Sequence, residues 1–397
     1  MKNSGLIVLI LGSILLVPAS LFSTTQKNTY PEFDLSGFSS SAKHWYTIYD
    51  RHNIINYLPE KPVYKPEEIT KIADNIILFQ RNNGGWSKNY DMQAILSPAQ
   101  KDSLIKTKNI LHTTFDNSTT YTQIEYLAKV YRATHIAKYK QACLKGLQFC
   151  IEAQYDNGGW PQYYPIEPGN YSRRITYNDG GYMGIMNLLK RIVDRDSDFV
   201  FIKKSMYKKI TKAYNKGIEC ILNTQISENG KQTAWCQQHD EITLQPAWAR
   251  AFEPPAICNA ESSGIVLFLM DIQYPDKRVI NAIQSAVKWF DESKIVNTKV
   301  ITVKAPAEKA RYGTLKTDRI VTTDSTAAPI WTRYYELGSH KPLFCDRNSK
   351  FLYSLSEVSR ERRVGYGWYT YSPEAVLKRY PKWQKRWASE NNVLKKE

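Results

Sequence analysis

Between residues 235 and 255 the chain reads WCQQHDEITLQPAWARAFEPP. Gln237, Gln238, His239, Asp240, Glu241, Arg250 and Glu253 crowd in among Trp235, Trp248, Phe252 and three prolines. A core strand or helix has no use for that mixture, because each buried polar group needs a partner and Pro246, Pro254 and Pro255 interrupt regular pairing. The aromatics argue against a plain solvated loop. The stretch is therefore expected to wall a polar cleft, where Arg250 offers a fixed positive charge and the carboxylates and imidazole can carry or orient protons. His239 and Asp240 are adjacent in sequence, which does not bring two side chains together, so they are expected to shape the cleft rather than form a catalytic pair.

The charge balance says what such a cleft faces. The chain carries 54 Lys and Arg against 38 Asp and Glu, a formal charge of +16, and residues 301–397 alone hold 19 basic against 10 acidic residues. An acidic partner is expected. Nucleic acid fits poorly, since no nucleic-acid module is recognisable, and the N-terminus points to export. Lys2, an apolar run from Leu6 to Val17 and the small-residue pattern Val17-Pro18-Ala19 read as a signal peptide, residues 1–19, too short for a comfortable membrane span. Periplasmic and secreted destinations both remain open, and an acidic polysaccharide is the better partner. Six scattered cysteines without a CxxC pair suggest buried thiols rather than a disulfide scaffold or a zinc site.

The elements that position these residues are mainly helical. Apolar residues recur three or four apart over 67–79, 120–131, 139–153, 183–191, 208–222, 262–270 and 279–290, and few stretches alternate at period two. A repeat accompanies them: Gln80 precedes Asn83-Gly84-Gly85-Trp86, Gln154 precedes Asn157-Gly158-Gly159-Trp160, and a looser copy has Gln225, Asn229-Gly230 and Trp235. The tryptophans lie 74 and 75 residues apart, room for two helices and their loops, which describes a solenoid or a closed toroid of helical hairpins. The glycines read as tight turns and helix ends, and the tryptophans as packing. Residues 20–59 read as a partly disordered lead-in, followed by one continuous domain over 60–390, monomeric by default.

Six ordered motifs add a family resemblance: Thr114-Phe-Asp116-Asn117-Ser-Thr-Thr120, Asp156-Asn157-Gly-Gly-Trp160-Pro-Gln162, Ile175-Thr-Tyr-Asn178-Asp179, residues 235–255, Asp318-Arg319-Ile-Val, and Pro329-Ile-Trp331-Thr-Arg333-Tyr-Tyr-Glu336. The chain resembles the family 10 polysaccharide lyases. That resemblance implies an all-α fold, an α/α toroid or incomplete barrel of helical hairpins with long loops and few short strands. It also implies pectate lyase activity, the calcium-assisted β-elimination of polygalacturonate.

By the same resemblance Arg250 matches the residue assigned as Brønsted base, and Asp116, Asn117 and Asp179 fall in segments implicated in calcium or substrate binding. Arg319 and Arg333 are expected to pair with substrate carboxylates, with Lys316 a weaker candidate. Other readings stand beside these: helix N-caps for Asp116 and Asp179, and an Arg333–Glu336 ion pair on one helical turn. Family members commonly carry a second acid after the residue matching Asp179, whereas this chain has Gly180, which predicts weaker calcium binding. A glycoside hydrolase using Asp116 and Asp179 as acid and base, and a glycan-binding protein without turnover, are the alternative functions.

Overall fold

The computed structural model describes residues 30–56, 62–311 and 313–394, so the expected signal peptide lies outside the described residues. Its helices are α1 (Ser39–Thr47), α2 (Ile69–Phe79), α3 (Pro98–Lys106), α4 (Tyr121–Thr134), α5 (Ala137–Glu152), α6 (Gly181–Val193), α7 (Lys204–Thr224), α8 (Asn259–Met270), α9 (Lys277–Glu292), α10 (Arg360–Gly365) and α11 (Ser372–Trp387). Helices α2 and α4 to α9 coincide with the segments marked by apolar spacing. In α9, for example, Val279, Ala282, Ile283, Ala286, Val287 and Phe290 are buried along one face, and Asp276 caps the first turn by accepting from the Val279 amide at 2.9 Å.

The helices form two layers. α4 packs on α5, α6 on α7 and α8 on α9; α2, α5, α7 and α9 are successive neighbours in one layer, and α4, α6 and α8 in the other. α11 packs against α8 and α9. α8 buries residues on every side, including Asn259, Ser262, Ile265, Val266, Phe268 and Leu269, as a helix of the interior layer must.

The sequence repeat is the device that spaces these layers. Trp86, Trp160 and Trp235 are fully buried, and each indole donates to a helix carbonyl: Ile76 of α2 at 2.7 Å, Cys150 of α5 at 2.8 Å and Ile221 of α7 at 2.7 Å. Trp331 repeats the bond to Phe290 of α9 at 2.8 Å, a fourth copy hidden in the sequence by its greater distance along the chain from its helix. The repeat glutamines tie each unit to the next: Gln80 donates to Ala142 of α5, Gln154 to Ala213 of α7 and Gln225 to Ala282 of α9, at 3.0, 2.9 and 3.0 Å. Gly158 is required by its left-handed φ of +91° and because a Cβ there would sit 1.9 Å from the Lys216 carbonyl oxygen.

Most strands are two-residue pairings between loops, but residues 298–323 depart from the expectation of short strands. Thr298–Ala310 and Gly313–Thr323 form a long antiparallel hairpin with a register irregularity between Lys304 and Glu308, and α10 packs against it. The β-branched run Val300-Ile301-Thr302-Val303 is the local cause.

The described part of the expected lead-in, residues 30–56, is folded against the domain. Phe33 and Phe38 meet Tyr126 of α4 edge-on, and Trp45 of α1 is buried and donates to the Ile55 carbonyl. These aromatics supply the apolar area that holds the segment down. All six cysteines are free and buried.

Candidate active site

The repeat that builds the fold also delivers the cleft. Two residues beyond each latched tryptophan stand Lys88, Gln162, Gln237 and Arg333. The next strand rises beside each: Thr114, Thr176 and Cys258 donate their amides to the carbonyls of Trp86, Trp160 and Trp235, at 2.9, 3.2 and 2.7 Å. One residue on, Phe115, Tyr177 and Asn259 donate to the carbonyls of Gln162, Gln237 and Arg333, at 3.1, 3.0 and 3.1 Å. Each strand then turns into an interior-layer helix, and an acid sits at each turn: Asp116 before α4, Asp179 before α6 and Glu261 in the first turn of α8. Cations and amides from one repeat position thus meet carboxylates from another.

Asp116 is buried, and its Oδ2 pairs with the Lys88 ammonium. Burial pushes its carboxyl upward, but Lys88 outweighs burial and holds the group below the usual carboxylate range. Lys88 in turn stays protonated despite burial because Asp116 faces it, and it stands 5.6 Å over the Tyr163 ring. The other oxygen, Asp116 Oδ1, is buried without a hydrogen-bond partner, as is Gln162 Oε1. Asp116 does not cap α4; Thr120 occupies the cap, its amide donating to Gln123 Oε1 at 2.6 Å.

Asp179 has a left-handed backbone at φ 50°, ψ 28°, and its carboxylate accepts from the Asn178 side chain at 2.8 Å. Solvent reaches it from the open side of the cleft, while protein crowds it on the others. That crowding, then the negative charges of Asp116 and Glu261, push it up to about 7 against the pull of Arg333 and Arg250. Asn117 belongs to the same strained turn as Asp116, with φ 51°; its amide donates to Asn89 and its carbonyl accepts from Ser41 of α1.

Arg333 is almost enclosed. It contacts Glu261 Oε1 at 2.5 Å, Asn178 Oδ1 at 3.1 Å and Gln237 Oε1 at 2.9 Å, and stands 4.8 Å over the Tyr366 ring. It lies between two short strands rather than on a helix, and Glu336 instead accepts from Tyr353 at 2.7 Å, so the expected Arg333–Glu336 pair is not formed. Arg250 is 43% exposed and clamped by buried Glu253, Nε to Oε2 at 2.7 Å with a second contact from Nη2 to Oε1. Partial burial would lower its pKa, but Glu253 outweighs it and raises it above the usual guanidinium range.

Arg319 joins the site indirectly. It lies on the hairpin and donates to the Tyr366 carbonyl at 2.9 Å, while the Tyr366 hydroxyl donates to Glu253 at 3.0 Å. Lys316 is exposed on the same strand. His239 is buried, receiving the Cys236 amide and bonding the Leu244 carbonyl, and Asp240 pairs with Arg174; the two form no catalytic pair. Lys88, Gln162 and Glu261 are the members that residue-by-residue reading missed. Their signal was the offset from each repeat tryptophan and each interior helix start.

A hard cation takes oxygen ligands. Asp116 Oδ1 and Gln162 Oε1 are buried oxygens lacking partners, and Asp179 is a carboxylate whose charge its neighbours disfavour, so a divalent cation would satisfy all three. No group of three His, Cys, Asp or Glu side chains converges among the described residues. A Cβ on Gly180 would meet only Tyr121 Oη, at 3.6 Å. Space for a second acid therefore exists there.

The family model for pectic acid lyase matches residues 80–377. A family 10 polysaccharide lyase from Cellvibrio cellulosa is 27% identical, with a TM-score of 0.67 over 78% of this chain and 91% of that one. An aspartate-to-alanine mutant of a family 10 lyase from the same organism, solved with trigalacturonic acid, superposes with a TM-score of 0.66 at 27% identity, over 78% of this chain and 92% of that one. No curated protein sequence is a significant match. The chain belongs to the pectic acid lyase family, the family 10 polysaccharide lyases.

Proposed function

We propose that this protein cleaves polygalacturonate by calcium-assisted β-elimination, with its helix pairs arranged as an incomplete α/α toroid around the cleft. The single observation that carries the reading is the meeting of Lys88 with Asp116 and of Arg333 with Glu261 at the turns into α4 and α8, with Asp179 and the Glu253-clamped Arg250 within the same field. Cations there receive uronate carboxylates, and the acids supply oxygen ligands. The acidic trisaccharide bound by the Cellvibrio relative supports the substrate class.

The chemistry follows from the substrate. The proton on C5 of a 4-linked uronide is weakly acidic because it neighbours the carboxylate, and an ionised carboxylate is a poor electron sink. Asp116, Asp179 and a substrate carboxylate would hold the calcium ion, with Asn117 as a further neutral ligand. When bound, calcium neutralises the substrate carboxylate and so favours the enolate-like transition state. Arg333, fixed by Glu261 and Gln237, is placed to pair with that carboxylate, as is Arg319 further along the strand. Arg250, in its neutral form, would take the C5 proton and become the guanidinium cation. The electron pair released forms the C4–C5 double bond, the C4–O bond breaks, and the leaving oxygen takes a proton from solvent.

Glu253 opposes the base role of Arg250 by favouring the protonated guanidinium, so proton abstraction requires alkaline conditions. One observation favours a second reading: Asp116 held ionised beside Asp179 pushed toward neutral pH is the split that an acid and base pair uses in glycoside hydrolysis. Family membership favours elimination. The signal peptide expected over residues 1–19 and the acidic substrate class support an exported enzyme, and we infer that it acts as a monomer. The test is the mass of the oligomers formed from polygalacturonate: elimination products lack one water relative to the hydrolysis products, and a set of fully hydrated products would reject the proposal.

A further inference from the structure

A cavity of about 450 Å³ opens beside the cleft, with Arg51, His52, His112, Tyr163 and Tyr171 in its walls. That volume is within the range of small-ligand sites. Two walls are shared with the catalytic machinery. The Tyr163 ring has Lys88 over it at 5.6 Å and His112 against it at 4.6 Å. The Tyr171 phenol is half-buried and lies within the fields of Arg250, Glu253, Lys88 and Asp116. From the reacting centre the hollow therefore runs outward past Tyr171 and Tyr163 to Arg51.

The outer wall comes from a part of the chain that the family match does not include. Arg51 and His52 precede residues 80–377 and follow α1, which is tied to the Asp116 loop by the Ser41 bond to the Asn117 carbonyl. Asn89 fixes them from the other side, accepting from Asn53 through its carbonyl and donating from its side chain to Asp50, at 2.9 Å each. The His52 and His112 rings stack at 4.3 Å and 5°, which makes a flat wall. Burial, then the field of His52, pushes His112 down to about 4, so it is neutral at working pH. Asp50 is occupied by the His52 amide and Asn89, and Glu167 on the rim by Asn170. Arg51 is solvent-exposed, donates to His52 Nε2 at 3.1 Å, and has no carboxylate within ion-pair distance among the described residues.

We propose that this hollow is a distal uronate subsite, in which Arg51 pairs with a sugar carboxylate while Tyr163, Tyr171 and the stacked histidines receive the ring faces. Among the described residues Arg51 is the one arginine or lysine lining the hollow, the cation there for a carboxylate of an acidic polymer to meet. The subsite deepens the pectate lyase reading and rests on it.

The test measures binding of hexagalacturonate and trigalacturonate by calorimetry in an Arg250→Ala background, which prevents consumption of the ligand. Arg51→Ala is expected to weaken hexamer binding about tenfold, as loss of one charge-assisted contact does. Arg51→Glu is expected to weaken it further, because a reversed charge repels the uronate where a merely structural role would leave the two variants alike. The hexamer's advantage over the trimer shrinks accordingly. Hexamer affinity within twofold of the parent in both variants would overturn the subsite. Failure of the lyase reading shows separately, as wild-type protein that forms no unsaturated product.

Discussion

Glu253 is the residue on which the proposed base role of Arg250 turns, and Glu253→Gln separates that role from its rival. Glu253 is buried and Arg250 reaches both of its oxygens. An opposite charge about 4 Å away at an effective dielectric of about 20 is worth about 4 kcal/mol. Solvent reaches the 43% exposed Arg250 side chain and screens part of this, leaving roughly 1.5 to 3 kcal/mol. At about 1.36 kcal/mol per pH unit, the pKa of Arg250 falls by about one to two units in the variant. Glu253 holds Arg250 above the usual guanidinium range, so pH 6 to 10 lies wholly on its acid limb. If Arg250 removes the C5 proton, kcat/KM climbs about tenfold per pH unit without levelling, and Glu253→Gln raises the neutral fraction about ten- to a hundredfold at each pH, offset in part by lost positioning. The assay follows unsaturated product by ultraviolet absorbance from pH 6 to 10. A kcat/KM that levels off within that range, with the variant slower at every pH, would refute the base role and leave Arg250 to stabilise the enolate as a cation.

Three further outcomes follow from the same geometry. Because Asp179 is raised to about 7, protons compete with calcium below that pH; calorimetry should show affinity rising up to about tenfold per unit toward pH 7 and levelling above it. Gly180→Asp should tighten calcium binding, since its Cβ has room and Asp tolerates the φ of +70° better than most residues; unchanged affinity by calorimetry would remove Gly180 from the account of weak binding. Gly158→Ala places a Cβ against the Lys216 carbonyl at a left-handed φ and should cost about 2 kcal/mol or more, read as a lower Tm with calcium absent.

Much of the fold was legible because its helices are amphipathic and its repeat carries rare residues. Trp86, Trp160 and Trp235 with their glycines mark the joints, and the structure gives each tryptophan the same bond to a helix carbonyl. Trp331 was not read as a copy because the hairpin over residues 298–323 separates it from α9. The hairpin over residues 298–323 was obscured by lysines scattered along it, which blur any alternation. α1 was missed because its short sequence, with Ser39, Ser40 and Ser41 at the start, has weak helical preference and is held by tertiary contacts of Phe38 and Trp45.

The site was legible in part for the same physical reasons. Asp116, Asp179, Arg250 and Arg333 stand in motifs dense enough to single out. Lys88 and Gln162 stand two residues after a tryptophan in segments that read as turns, and only the fold shows them meeting Asp116. Glu261 sits in the polar first turn of α8, among Asn259, Ser262 and Ser263, where nothing local distinguishes a partner of Arg333 from a first-turn acid favoured by the helix dipole.

The most direct test of the account is ultraviolet absorbance of the unsaturated product while purified protein is incubated with polygalacturonate at alkaline pH, first with calcium, then with a chelator, beside Arg250→Ala. The account predicts a rise that the chelator stops and Arg250→Ala abolishes. Shortening of the polymer without that absorbance, or a rise that neither the chelator nor Arg250→Ala affects, would contradict it.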